Sequence, residues 1–197
     1  MKKTVLVSMR IDEIAQRKEV RDSIEQRLLT FLIKSDYFPI LIPNILFELN
    51  LLEKWIINLK PHSILLSGGN DLGEYQDRDK TESFLLKYAV KNNVPILGIC
   101  RGMQLIAKEF GAELVPISGF VNTRHKLIGE INHDALFFFN FGIKSCPKSF
   151  KVMAKTSEGI IQAIKHETYK IQGWMWHPER EKNFNIDDIK RIKEFFR

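Results

Sequence analysis

A chain of 197 residues with 44% hydrophobic and 27% charged positions can bury one substantial core, and a single domain over residues 1–197 is expected. The net charge of +6 is spread along the chain with no run of five or more basic residues, which argues for a solvated surface and against a nucleic-acid partner. With only 2 cysteines, and with Arg10 interrupting the apolar residues behind Met1-Lys2-Lys3, neither a disulfide framework nor a signal or membrane span is expected, and the setting reads as reducing and cytoplasmic.

Thr4 to Ser8 is a short apolar run that predicts a first buried strand. The mixed polar stretch from Arg10 to Glu19 reads as a loop leading into a helix from Arg21 to about Lys34, where Ile24, Leu28, Phe31 and Leu32 recur at helical spacing. Pro39 to Pro43 predicts a second strand, Leu46 to Leu59 a helix, Ile64 to Leu66 a third strand and Asp79 to Lys91 another helix. Pro95 to Ile99 is a fourth short strand. It turns directly into a helix whose buried face is Met103, Ile106, Ala107 and Phe110, stopped by Gly111.

Short strands alternating with amphipathic helices predict an α/β fold, its central sheet mostly parallel and flanked by helices. In such sheets chemistry gathers at the carboxyl ends of strands, where both Ser67–Asp71 and Cys100 emerge. Beyond Gly111 the texture changes. Glu113 to Pro116 reads as a strand and Gly119 to Asp134 as a polar loop carrying His125 and His133. Leu136 to Asn140, Ser149 to Ala154, Gly159 to Ile164 and Ile171 to Trp174 read as later strands. Turns at Gly142, Pro147 and Glu167-Thr168 in place of long helices predict antiparallel additions in the C-terminal half. Ile186 to Phe196 closes the chain as a helix, with Asn185 as N-cap and Asp187 and Asp188 in its first turn.

Cys100 lies between strand and helix, flanked by Gly98 and Gly102. A lone cysteine after an apolar strand is often only a small core residue. A strand that turns straight into a helix, however, needs small neighbours and holds the residue at the tip out of the sheet, at the positive end of the helix dipole. That place suits a thiolate nucleophile. Its distant complement is Trp174-Met175-Trp176-His177-Pro178-Glu179, with an imidazole and a carboxylate two residues apart. His62, His133, His166 and Cys146 show no metal-ligand spacing, so neither metal nor cofactor is expected.

SGGND at Ser67–Asp71, GICRGMQ at Gly98–Gln104 and WHPE at Trp176–Glu179 together resemble the class I glutamine amidotransferase family. RDSIEQ at Arg21–Gln26 is similar to its γ-glutamyl hydrolase branch. The resemblance implies a flavodoxin-like fold and a Cys-His-Glu triad that cleaves a small γ-glutamyl amide. Cys100 would attack the γ-carbonyl, His177 would move the protons, and Glu179 would orient the ring. The backbone N–H groups of Gly69 and Arg101 would receive the oxyanion. Gly68, Asn70 and Gln104 would bind the glutamyl group, together with Asn140 and Phe141 in a loop that lacks the family's usual histidine. His125 lies where the hydrolase branch often carries a histidine, and a solvated loop histidine is an equal reading.

Within that branch the compact chain also resembles members whose leaving group is a nucleotide phosphoramidate. Hydrolysis of γ-glutamyl-CDP-amidate, in capsule phosphoramidate synthesis, is therefore the expected reaction. Cleavage of γ-glutamyl-γ-aminobutyrate and service as the glutaminase component of a two-chain amidotransferase are the alternatives. A second copy of the chain or a synthetase chain is accordingly a candidate partner. A catalytically idle binding protein and a DJ-1-type cysteine enzyme share the general fold; the distant His-Pro-Glu motif speaks against both.

Overall fold

The computed structural model describes residues 3–197. In chain order the elements are β1 (Lys3–Ser8), β2 (Arg10–Ile14), β3 (Glu19–Ser23), α1 (Gln26–Lys34), β4 (Tyr37–Ile42), α2 (Ile45–Glu48), α3 (Leu52–Leu59) and β5 (Ser63–Leu66). Then come α4 (Gln76–Asn92), β6 (Ile96–Ile99), α5 (Arg101–Glu109), β7 (Leu114–Pro116), β8 (Val121–Lys126), β9 (Ile128–Gly129) and β10 (Asp134–Phe138). β11 (Phe141–Ile143), β12 (Phe150–Lys155), β13 (Ile161–His166), β14 (Ile171–Trp174) and α6 (Ile186–Phe195) complete the chain.

Eight strands pair in the order β4-β1-β5-β6-β14-β13-β12-β9. The five from β4 to β14 run parallel, and counted along the chain their order is 2-1-3-4-5, that of flavodoxin-like sheets. β13, β12 and β9 continue the sheet antiparallel. The predicted α/β architecture with C-terminal antiparallel additions is the one observed. Val5, Leu6 and Val7 are consecutive in β1, as are Ile64, Leu65 and Leu66 in β5, and all are fully buried. Successive strand residues point to opposite faces, so complete burial of neighbours means that both faces are covered.

Several expected boundaries are corrected. The Arg10–Glu19 loop and the helix from Arg21 are instead the hairpin β2–β3, turned through a 3₁₀ segment at Ala15–Arg17 with Lys18 left-handed at φ 52°. α1 begins only at Gln26, where the Glu25 carboxylate accepts from the Arg27 N–H at 3.2 Å, so Ile24 lies outside it. The hairpin escaped notice because polar contacts anchor it: Ser23 Oγ donates to Asp12 at 2.6 Å, and the Asn44 N–H donates to Asp22 at 2.8 Å. The helix expected over Leu46–Leu59 is broken into α2 and α3, with Asn50 left-handed at φ 54° between them.

The polar loop expected over Gly119–Asp134 contains β8, which pairs antiparallel with β10, and β9 at the sheet edge. Charged residues in β8 disguised it. Gly142, read as a turn, lies inside β11, paired with Val115 of β7. At the C-terminus the expected cap is observed: the Asn185 side chain accepts from the Asp187 N–H at 2.8 Å and opens α6.

Candidate active site

β6 ends at Ile99 and α5 begins at Arg101, so Cys100 alone makes the turn, with φ 51° and ψ −106°. That left-handed φ is costly for a residue with a side chain and is held by its surroundings. The Cys100 N–H donates to the Trp174 carbonyl at 2.7 Å, tying the tip to β14. The two glycines are required by close approach. A Cβ on Gly98 would lie 2.3 Å from the Gly102 carbonyl carbon, and one on Gly102 would lie 2.3 Å from the Leu66 oxygen.

β14 runs parallel beside β6 with Trp174 opposite Ile99, so the residues just beyond both strands emerge at one end of the sheet. Pro178–Arg180 forms a 3₁₀ turn that folds Glu179 back onto His177, Nδ1 to Oε1 being 2.7 Å. Gly68 serves as a ruler: a Cβ there would stand 2.7 Å from His177 Cε1 and 3.6 Å from Cys100 Cβ. The His177 ring and the Cys100 side chain therefore flank the same glycine. Burial opposes charge on the buried His177 ring, but Glu179 and the Cys100 sulfur outweigh it and push its pKa up to about 9. Burial likewise works against the Glu179 carboxylate, and the His177 ring outweighs it, holding that pKa below the usual range. The Cys100 thiol also donates weakly to the Phe138 carbonyl at 3.8 Å.

The glycine loop after β5 is held from beneath by Arg78. Its Nη2 donates to the Ser67 and Gly68 carbonyls, both at 2.9 Å, and its Nη1 donates to the Gly69 carbonyl and, at 3.0 Å, to Asn70 Oδ1. Arg78 Nε donates to Glu82 at 3.0 Å, and Arg101 donates to Glu82 and to Asp79. Ser8 Oγ donates to Glu82 at 2.7 Å and accepts from the Ser67 N–H at 2.9 Å. Burial works against an ionised Glu82; Arg78 and Arg101 outweigh it and keep its pKa low. Among the described residues, neither the Gly69 nor the Arg101 backbone N–H meets a protein acceptor.

A family model, glutamine amidotransferase class-I, matches residues 18–187. The chain belongs to the class-I glutamine amidotransferase family. It is 31% identical over 140 residues to the γ-glutamyl-CDP-amidate hydrolase of Campylobacter jejuni, covering 68% of this chain and 69% of that protein. It is 34% identical over 150 residues to a subunit of the glutamine-hydrolysing GMP synthase of Thermococcus kodakarensis, covering 68% and 74%. A Thermoplasma acidophilum protein provisionally assigned as a GMP synthase component shares the fold, with a TM-score of 0.74 at 22% identity over 100% of this chain and 94% of that one.

In this class-I amidotransferase chain two cavities meet at Gly69, which lines both. The sulfur-side cavity, about 220 Å³, is lined by Asn70, Glu74, Cys100, Arg101, Gln104 and Asn140. The imidazole-side cavity, about 180 Å³, is lined by Arg10, Ser23, Gly68, His177, Glu179 and Arg180. Every expected site residue except Phe141 thus faces one cavity or the other. Gln104 Nε2 donates to the Phe141 carbonyl at 2.6 Å, so Phe141 meets the site through that amide. Asn70 is spent on the hairpin: it accepts from the Ile11 N–H at 2.9 Å and donates to the Ile11 carbonyl at 3.0 Å.

His125 lines neither cavity; it stacks on Phe120 and meets Thr123 at 3.1 Å. Among the described residues no group of three or more His, Cys, Asp or Glu could hold a metal ion, and no helix is long and apolar enough to cross a membrane. Sequence reasoning missed Arg78 and Glu82. The signal was present: they share the face of α4 that carries Leu85, Leu86 and Ala89, all buried, and charges on an apolar helix face require buried partners.

Proposed function

We propose that the chain hydrolyses a γ-glutamyl amide through a thioester on Cys100, and that its substrate is γ-glutamyl-CDP-amidate. The observation that carries the reading is the meeting of Cys100, His177 and Glu179 around Gly68, with the His177 pKa raised to about 9. At neutral pH that ring holds a proton, as an acid for a leaving amine must. The Cys100 sulfur, having given its proton to His177, attacks the γ-carbonyl carbon, and the carbonyl electrons move onto oxygen, received by the N–H groups of Gly69 and Arg101. The C–N bond then breaks, the nitrogen takes the His177 proton, and the glutamyl group stays on sulfur. The now neutral ring draws a proton from water as its oxygen adds to the thioester. The C–S bond breaks, glutamate leaves, and His177 is protonated again. Glu179 holds the ring in register throughout.

On this reading the glutamyl half occupies the sulfur-side cavity, with Gln104, Asn70 and Asn140 around it and Phe141 behind. The leaving amine occupies the imidazole side, beyond Gly68. Arg180, held over the Phe138 ring at 4.4 Å, faces that side, as does Arg10, which is ion-paired to Asp12. The similarity to the Campylobacter hydrolase supports the nucleotide phosphoramidate as leaving group. A second reading, the glutaminase chain of a two-chain amidotransferase, is favoured by the 34% identity to the Thermococcus GMP synthase chain. Purified protein assayed with γ-glutamyl-CDP-amidate, γ-glutamyl-γ-aminobutyrate and glutamine separates them. The first substrate should give the highest kcat/KM. Turnover of glutamine alone, and only beside a synthetase chain, would replace the first reading with the second.

A further inference from the structure

Arg78 is fully buried and lines neither cavity, yet its guanidinium spends its hydrogen bonds on three successive carbonyls of the glycine loop, Ser67, Gly68 and Gly69. Every peptide bond in the described chain is trans, and in a trans peptide the N–H points opposite to the preceding carbonyl. Drawing the Gly68 carbonyl down onto Arg78 therefore turns the Gly69 N–H the other way, toward the crevice. The same guanidinium is joined through Glu82 to Arg101, the residue carrying the other free N–H. One buried Arg–Glu–Arg chain thus links the two segments that bear the donors.

We propose that Arg78 is the positioning residue of the oxyanion site. It orients the Gly69 N–H by holding the loop carbonyls and, through Glu82, fixes its spacing from the Arg101 N–H. A buried ion chain of this kind is weak evidence for stability, since desolvation offsets most of its Coulomb gain and apolar replacements are often neutral. Its value here is geometric. Lysine cannot substitute, because a single ammonium lacks the planar fork that spans several carbonyls.

The inference rests on the amide-hydrolase reading, and its test keeps the two apart. Arg78→Lys, Arg78→Met and Glu82→Gln are compared with the wild type in three measurements: kcat and KM on a chromogenic γ-glutamyl anilide, inhibition by an aldehyde analogue of the γ-glutamyl group, and the rate of Cys100 alkylation by iodoacetamide. The aldehyde captures sulfur and leaves an oxygen in the oxyanion position; alkylation occurs at a saturated carbon and needs no such site. Both Arg78 variants should lose about 100-fold in kcat, the cost of one misaimed donor, with KM nearly constant. The aldehyde should weaken in parallel, while the alkylation rate stays at the wild-type value. Glu82→Gln should lose about 10-fold in the same pattern, and it carries the test if the Arg78 variants do not fold. Wild-type kcat and aldehyde affinity in a folded Arg78→Lys or Glu82→Gln variant would overturn the inference. So would a loss of alkylation equal to the loss of kcat. A wild type that neither turns over a γ-glutamyl amide nor binds the aldehyde removes instead the functional reading beneath it.

Discussion

The wall of the crevice that carries Cys100 is held by apolar packing and close backbone approach: Ile99, Met103 and Ile106 are fully buried, and Gly98 and Gly102 let α5 press against β5 and β6. The wall that carries Gly69 is held by buried charge, with Arg78, Glu82 and Arg101 each at 1% exposure or less. The first wall draws stability from what it buries, about 2 kcal/mol for a fully buried apolar side chain. The second gains little net stability, since desolvating its ions costs nearly what their attraction returns. What it gains is direction, because the fork of a guanidinium accepts few arrangements of its acceptors. On the proposed reading the first wall seats a nucleophile, which needs firmness, and the second aims oxyanion donors, which need direction. Bulk should therefore break one wall, and loss of charge the other.

The largest effect is expected where both walls stay and only the reacting atom changes. Cys100→Ser should lower kcat by about 10,000-fold or more, with far-UV circular dichroism and thermal midpoint unchanged. Retained turnover would remove the thioester route. Next comes bulk on the packed wall. Gly102→Ala would place a Cβ 2.3 Å from backbone oxygen, which cannot move aside as a side chain would. It should cost about 3 kcal/mol in denaturant unfolding, since α5 must lift from β5. A cost under about 1 kcal/mol would mean that the close approach does not hold the elbow.

Charge at the junction of the walls is tested by pH. Glu179→Gln removes the carboxylate that lifts His177 and leaves burial to favour the neutral ring. The alkaline limb of kcat/KM, near pH 9 in the wild type, should move to lower pH, and kcat at neutrality should fall about 100-fold. The sign for stability is equally specific. A folded-state pKa of about 9 against an ordinary 6.5 stabilises fully below pH 6.5, and that contribution is lost as pH rises through 9. The wild type should lose stability across that window, and Glu179→Gln should not.

The same division explains what could be read from the chain. Apolar runs such as Thr4–Ser8 and Ile64–Leu66 and the spaced face of α5 revealed the parallel core, the elbow and the end of the sheet at which Cys100 emerges. The place of His177 followed from resemblance rather than from periodicity. Parts held by polar contacts stayed hidden. The β2–β3 hairpin has little apolar alternation, β8 is rich in charge, and Arg78 lies outside the helix expected from Asp79, so its i,i+4 pairing with Glu82 on the buried face of α4 goes unread. Hydrogen-bond partners distant in sequence, such as Arg78 with Ser67, leave no periodic trace.

Asn70 is where the charge-held wall meets the hairpin, and it supplies the mildest test. It sits left-handed at φ 56°, a conformation that asparagine and glycine tolerate. Its Oδ1 is shared between the Ile11 N–H at 2.9 Å and Arg78 at 3.0 Å. Asn70→Gly keeps the backbone freedom and deletes the side-chain bonds, so its effect isolates the tie between loop and hairpin. A loss of about 1–2 kcal/mol is expected by chemical denaturation, with kcat reduced less than in the Arg78 variants. The reason is an asymmetry of anchorage: the loop keeps its three carbonyl bonds to Arg78, whereas the hairpin loses both backbone bonds at Ile11. Limited proteolysis should accordingly open the hairpin before it reaches the loop. Cleavage within the loop at the same rate would mean that Asn70, rather than Arg78, holds the donors in place.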